Sequence, residues 1–130
     1  LRKRFPEDAA TLLYQGYVYE LLKKYNNAEI LYRKSLEMEP ENHRAMLRLS
    51  TLLIKTGKYE EAQSFLESLT RKYPDYTDGW WNLGLLYQKL DELESAEQAL
   101  EEVVRHDPAN TRAQAQLERI REELAPVISQ

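Results

Sequence analysis

The 130-residue sequence predicts an all-α fold, an array of antiparallel helix hairpins, and three observations carry that prediction. Four of the five prolines, Pro6, Pro40, Pro74 and Pro108, stand 34 residues apart. Other residues keep the same register: Leu12, Met46 and Trp80; Gly16, Ser50 and Gly84; Tyr19, Leu53 and Tyr87; Ala28, Ala62 and Ala96. Around these rungs apolar residues recur at spacings of three and four, the period of a helix and not of a strand. A fixed period of this size marks stacked supersecondary units that bury their apolar faces against one another. Composition agrees, since 4 glycines and 5 prolines are too few for a turn-rich sheet protein, and 42% hydrophobic against 31% charged residues suits a soluble fold.

Taken in order, residues 1–8 begin with LRKRF, which reads as the last turn of an upstream helix with basic residues at its negative dipole end. On that reading the chain is cut from a longer protein, and a basic leader is the alternative. Residues 9–42 form a first hairpin, with Leu12, Gly16 and Tyr19 on one helix and Ala28, Tyr32 and Ser35 on the other. Residues 43–76 form a second through Met46, Leu49 and Leu53 against Ala62, Leu66 and Leu69, and residues 77–110 a third through Trp80, Leu83, Gly84 and Tyr87 against Ala96, Leu100 and Val103. The connections KKYNN, KTGKYEE and KLDELES are short and polar, so paired helices must run antiparallel. Proline donates no backbone hydrogen bond and ends each second helix. Two residues later Asp8, Asn42 and Asn110 supply N-caps, while Tyr76 breaks the rule and leaves Thr77 or Asp75 to cap. The small rungs Gly16, Ser50 and Gly84 are expected to meet Ala28, Ala62 and Ala96 where the helices cross. Residues 111–130 read as a capping helix and tail. Leu117, Ile120 and Leu124 dock on the third hairpin, Gln114 and Arg121 wet the opposite face, and Pro126 falls where a further partner helix would begin.

Several function classes are excluded or disfavoured. The chain has no cysteine, so disulfides, thiolate metal sites and cysteine nucleophiles are absent, and its compartment stays open, the cytoplasm favoured and the periplasm an alternative. A net charge of −4 argues against nucleic acid as partner. No apolar run is long enough to cross a bilayer. His43 and His106 lack metal-ligand spacing and read as surface residues near helix ends. No catalytic motif or cofactor-binding loop is present, so the chain is read as a non-enzyme with no cofactor and no metal. Glu92, Glu94, Glu97, Glu101 and Glu102 read as a solvated face.

The order Trp80, Leu83-Gly84, Tyr87, Ala96, Leu100 and Pro108 resembles the tetratricopeptide repeat, whose signature is Trp, Leu-Gly, Tyr, Ala, Phe and Pro over 34 residues. The first two hairpins carry weaker versions. The resemblance implies a right-handed superhelical array of three such units plus the capping helix, binding a protein or peptide along a concave face lined by the first helix of each unit. Rotating about 100° from the buried stripe of the third first helix brings up Trp81, Leu85 and Gln88, whose equivalents are Leu13, Tyr17 and Glu20, then Leu47, Thr51 and Ile54. Trp80 is then the packing tryptophan and Trp81 the ligand contact, with sideways packing of Trp81 on a neighbouring helix as the alternative.

Members that clamp the acidic tails of cytosolic chaperones carry lysine and asparagine where this chain has Leu13 and Tyr17, asparagine where it has Arg48, and lysine and arginine where it has Asp78 and Asn82. None matches, which argues against a chaperone carboxylate tail. Arg44, Arg48, Lys55, Lys89, Arg112 and Arg119 remain to hold an acidic ligand in another geometry. The rival readings are a self-assembling module and the adaptor region of a larger enzyme.

Overall fold

A computed structural model describes residues 8–126, so the reading of residues 1–5 as a helix stub, and Pro6 with it, lies outside the described residues. The chain is all-α: α1 (Ala9–Leu21), α2 (Tyr25–Met38), α3 (His43–Lys55), α4 (Tyr59–Lys72), α5 (Thr77–Lys89), α6 (Leu93–His106) and α7 (Thr111–Leu124). They pair as helix hairpins followed by the lone α7. No helix among the described residues is long and apolar enough to cross a membrane.

The 34-residue register sets the helix ends in atomic detail. Asp8, Asn42 and Asn110 each accept a hydrogen bond from the backbone N–H three residues on, at 2.7, 3.1 and 3.0 Å, the expected capping geometry. Tyr76 is itself the N-cap of α5 and supplies no side-chain cap; neither Thr77 nor Asp75 takes that position. At the other end, α1, α3 and α5 all close the same way. The residue after the C-cap is Lys23, Gly57 or Asp91, with φ of 62°, 84° and 62°, a further rung at the 34-residue spacing. Its N–H and the next one bond back to Glu20 and Tyr19, to Ile54 and Leu53, or to Gln88 and Tyr87, which is the paired closure of a left-handed C-terminal cap. This closure turns the chain within three residues.

The helices gather in two units, Leu1–Ala62 and Gln63–Gln130, with the border inside α4. In the first, α1 packs on α2 and α2 on α3. Its core holds Leu12, Ala28, Tyr32, Leu49, Leu52 and Leu53. The expected meeting of Gly16 with Ala28 is only partly seen: a Cβ on Gly16 would lie 2.6 Å from ring carbons of Tyr32 and 3.4 Å from the Ala28 carbonyl oxygen. The small rung makes room for a large side chain on the next turn of the partner helix. The Tyr32 hydroxyl donates to Glu20 Oε1 at 2.6 Å, and Lys55 Nζ donates to Glu20 Oε2 at 2.8 Å. Burial, reinforced by the bond to Glu20, pushes the Tyr32 phenol far above its ordinary range. Beside it, Glu29 accepts from Arg33 and Lys58, and Arg33 also reaches Glu61.

In the second unit α6 packs between α5 and α7, around Ala96, Leu100, Val103, Ala113, Leu117 and Ile120. A Cβ on Gly84 would lie 3.0 Å from Leu100 and 3.5 Å from Ala99, so the expected partner Ala96 is not among its nearest neighbours. Leu117 and Ile120 are buried and Leu124 packs against the same cluster, as the capping-helix reading expects. The glutamate face of α6 is not simply solvated, because Glu97 and Glu101 accept from Arg121 at 3.0 and 2.6 Å and Glu102 pairs with Arg105. Arg121, expected to wet the outer face of α7, ties that helix to α6 instead. His106 is also more enclosed than expected. Its Nδ1 lies 3.7 Å from Asp75 and its Nε2 3.6 Å from Glu102.

Candidate functional site

Two hollows open on the first helices, one in each unit. In the first unit Ala10, Leu13, Tyr14 and Tyr17 of α1 face Asn42, His43, Arg44 and Arg48 at the start of α3 across a space of about 460 Å³. Leu13 and Tyr17 project there because they lie about 100° around α1 from the buried Leu12 and Gly16. The guanidinium of Arg48 stacks 4.1 Å from the Tyr17 ring centroid, which holds it over an aromatic face. No carboxylate lines this hollow. Its exposed Arg44 and stacked Arg48 therefore give it a positive wall beside an apolar one.

The second unit has a smaller hollow of about 140 Å³, lined by Thr77, Asp78, Trp81, Val103, Asn110 and Arg112. Arg112 lies 5.0 Å from the Trp81 ring centroid. Subtracting two repeat lengths makes Asp78, Trp81, Asn110 and Arg112 the counterparts of Ala10, Leu13, Asn42 and Arg44. The same place in the repeat is thus hollow twice, each time with an arginine over an aromatic ring, although the two pairs sit on different rungs, since the counterparts of Tyr17 and Arg48 are Leu85 and Gln116.

The remaining sequence-derived candidates divide. Leu47, Ile54, Asn82 and Leu85 are half-buried on their helices. Thr51 is half-buried and turns its hydroxyl back onto the Leu47 carbonyl at 2.7 Å. Glu20 and Gln88 are engaged inside the scaffold, Glu20 by Tyr32 and Lys55 and Gln88 by Gln116 of α7 at 2.5 Å. Lys55 is thereby removed from the set of cations for an acidic ligand.

The tryptophans correct the expectation of one core and one groove residue. Both Trp80 and Trp81 are half-buried, and both pack against the α6–α7 core. Trp80 Nε1 also donates to the Pro74 carbonyl at 2.8 Å. The reason is that α6 and α7 together cover a wider arc than one hairpin partner could. Sideways packing of Trp81 is therefore real, and only part of its ring faces the hollow.

Sequence reasoning missed Ala10, Tyr14, Asn42 and His43, together with Thr77, Val103 and Asn110. The only available signal was the repeat itself, which puts each capping asparagine one residue before the next first helix. No group of three or more His, Cys, Asp or Glu side chains among the described residues could hold a metal.

Helix hairpins with recesses between successive first helices define a class, the helical repeat scaffold, whose repeats present extended surfaces. The chain belongs to the tetratricopeptide repeat family, since residues 21–83 and 77–110 each match a profile described as a tetratricopeptide repeat. It is 34% identical over 97 residues to the human protein O-mannosyl-transferase TMTC3, covering 73% of this chain and 10% of that protein. It is 28% identical over 112 residues to ER membrane protein complex subunit 2-A of Xenopus laevis, covering 85% and 37%. The chain thus spans 10 to 37% of the length of these curated relatives. Among solved structures it resembles the first tetratricopeptide domain of Spaghetti (RPAP3) bound to the HSP90 peptide SRMEEVD, with a TM-score of 0.85 and 25% identity over 92% of this chain and 94% of that one.

Proposed function

We propose that the chain binds an extended peptide segment of a partner protein on the first-helix faces, with the hollow beside Tyr17 as its principal anchor point. The observation that carries this is the repeated recess, lined in both units by an arginine stacked on an aromatic ring. Arg44 and Arg48 line the larger recess without a carboxylate among its lining residues, so it suits an Asp or Glu side chain, while Leu13 and Tyr14 suit an adjoining aliphatic or aromatic one. Leu47, Thr51 and Ile54 on α3 extend the surface offered beside this recess, and Trp81, Asn82 and Leu85 on α5 offer a second surface within the second unit. The related domain carries an acidic peptide. Here Leu13, Tyr17, Arg48, Asp78 and Asn82 stand where the chaperone-tail clamp needs other residues, so the segment meant is internal and its carboxylate that of a side chain.

The test is an array of short peptides pairing one acidic residue with one aliphatic or aromatic neighbour, followed by titration of the best binder. Replacing Arg48 with alanine is expected to weaken binding by about 2 kcal/mol, the scale of an interface hot spot, while the helix content stays unchanged. Equal binding by the wild type and the Arg48 variant would remove the anchor point; no binding by any peptide would remove the reading.

A further inference from the structure

Six large hydrophobic residues stand exposed among the described residues, and all six lie in the first hairpin: Tyr14, Val18, Leu21, Leu22, Ile30 and Met38. Four of them, Tyr14, Val18, Leu21 and Leu22, follow one another at i, i+4, i+7 and i+8 and so form a single stripe on α1. A stripe of this kind is unusual on a surface that meets only water.

The chain itself shows what covers the same face elsewhere. Val18 is 38% exposed, whereas its counterparts Leu52 on α3 and Leu86 on α5 are 0% exposed. Thr11 is exposed, whereas its counterparts Ala45 and Gly79 are buried. On α3 the cover is α2. On α5 it is α4, whose Leu69 and Thr70 side chains come within 3.2 and 3.3 Å of the Cβ position of Gly79. In both cases the second helix of the preceding hairpin lies over the first helix of the next.

The α2–α3 contact also fixes direction and charge. Lys55 at the end of α3 lies 5.6 Å from the ring of Tyr25 at the start of α2, and Lys58 pairs with Glu29 at 3.0 Å, so the two helices run antiparallel. One repeat earlier the counterpart of Lys58 is the exposed Lys24, and that of Lys55 is Leu21. A covering helix of the same kind would bring an acidic residue of its second turn to Lys24 and its opening aromatic side chain to Leu21, an apolar contact better matched than the one Lys55 makes.

We propose that the Thr11, Val18, Leu21 and Leu22 face of α1 is a docking surface for the second helix of a further hairpin of this repeat kind, lying antiparallel on α1 with an acidic residue on Lys24. The proposal does not rest on the peptide-binding reading: Thr11, Val18, Leu21 and Leu22 are not among the residues lining the recess, and only Tyr14 at the head of the stripe is shared with it.

The experiment inserts a second copy of residues 9–42 ahead of Ala9, which preserves the 34-residue register, with the original 130 residues isotopically labelled. The original α1 amides of Val18, Leu21 and Leu22 are expected to exchange about tenfold more slowly than in the natural chain, a larger gain than at Leu52. Lys24→Glu in the original hairpin is expected to reverse part of that gain. An insertion of residues 43–76 at the same point, which brings α4 with Gln63 where α2 has Glu29, should protect the same amides without the sensitivity to Lys24→Glu, and serves if the first fusion folds poorly. Unchanged exchange in both fusions overturns the proposal. So does concentration-dependent dimerisation of the natural chain in light scattering that Val18→Glu abolishes, since a second copy would then be the occupant.

Discussion

Gly16→Ala adds one methyl group at a place where the structure has no room for it. The new Cβ would sit 2.6 Å from both Cδ1 and Cε1 of Tyr32, whereas carbon atoms prefer about 3.5 to 4.0 Å. The ring is wholly buried, and its hydroxyl is held by Glu20, itself bridged to Lys55. To make way, the ring must either push the helices apart or leave its hydrogen bond. Overpacking costs about 1 to 3 kcal/mol, and a bond to a charged acceptor contributes about 1.5 to 3 kcal/mol when kept. Against this, alanine favours a helix over glycine by about 1 kcal/mol. The net expectation is a loss of about 2 kcal/mol. Gly84→Ala is the internal control. It occupies the same rung, but its Cβ would be 3.0 Å from Leu100, a flexible aliphatic chain with no polar anchor. There the propensity gain and the steric cost should nearly cancel, to within about 0.5 kcal/mol. Urea unfolding followed by far-ultraviolet circular dichroism measures both. Tyr32→Phe, which frees the ring from Glu20, should reduce the penalty of Gly16→Ala when the two are combined. Gly16→Ala as stable as the wild type, or the two glycines equally sensitive, would refute the reasoning.

The left-handed turn residues offer a second test: Lys23→Gly and Asp91→Gly should each stabilise by about 1 kcal/mol, and Gly57→Ala should destabilise by about as much, in the same unfolding assay. Since Trp80 and Trp81 are both half-buried against one core, alanine at either should cost about 2 kcal/mol, and a loss at one site only would contradict the shared packing. Burial opposes ionisation of Glu29, but the bonds from Arg33 and Lys58 outweigh it and hold the carboxyl below its ordinary value of 4.5. Its folded value is thus lower than its unfolded one, so its contribution is present above about pH 4.5 and lost as pH falls through the folded value. Glu29→Gln should therefore flatten the acid limb of the stability curve, seen as a smaller drop in melting temperature between neutral and acid pH. Asn110→Ala, removing the cap of α7, should cost about 1 kcal/mol and raise amide exchange first in that helix.

The 34-residue period was enough to establish the helices, their pairing, the capping asparagines and the docking stripe of α7, because each depends on local spacing: a proline, a cap or an apolar stripe acts within a few residues of itself. Within the candidate site the same periodicity placed Leu13, Tyr17, Arg44, Arg48, Asp78 and Trp81 on the helices that line the two hollows. What it could not decide was what each side chain meets. Whether Gly16 faces Ala28 or Tyr32, whether Trp80 is sealed in or shares its exposure with Trp81, and whether Arg121 points to water or to Glu97 and Glu101 all depend on how one hairpin packs on the next. Glu20 and Gln88 look outward on a helical projection, yet partners on α2, α3 and α7 engage them. A helical period specifies the angle at which a side chain leaves its own axis; the distance to its neighbour is set by the volumes of residues far away in sequence, and only the packed structure contains that sum.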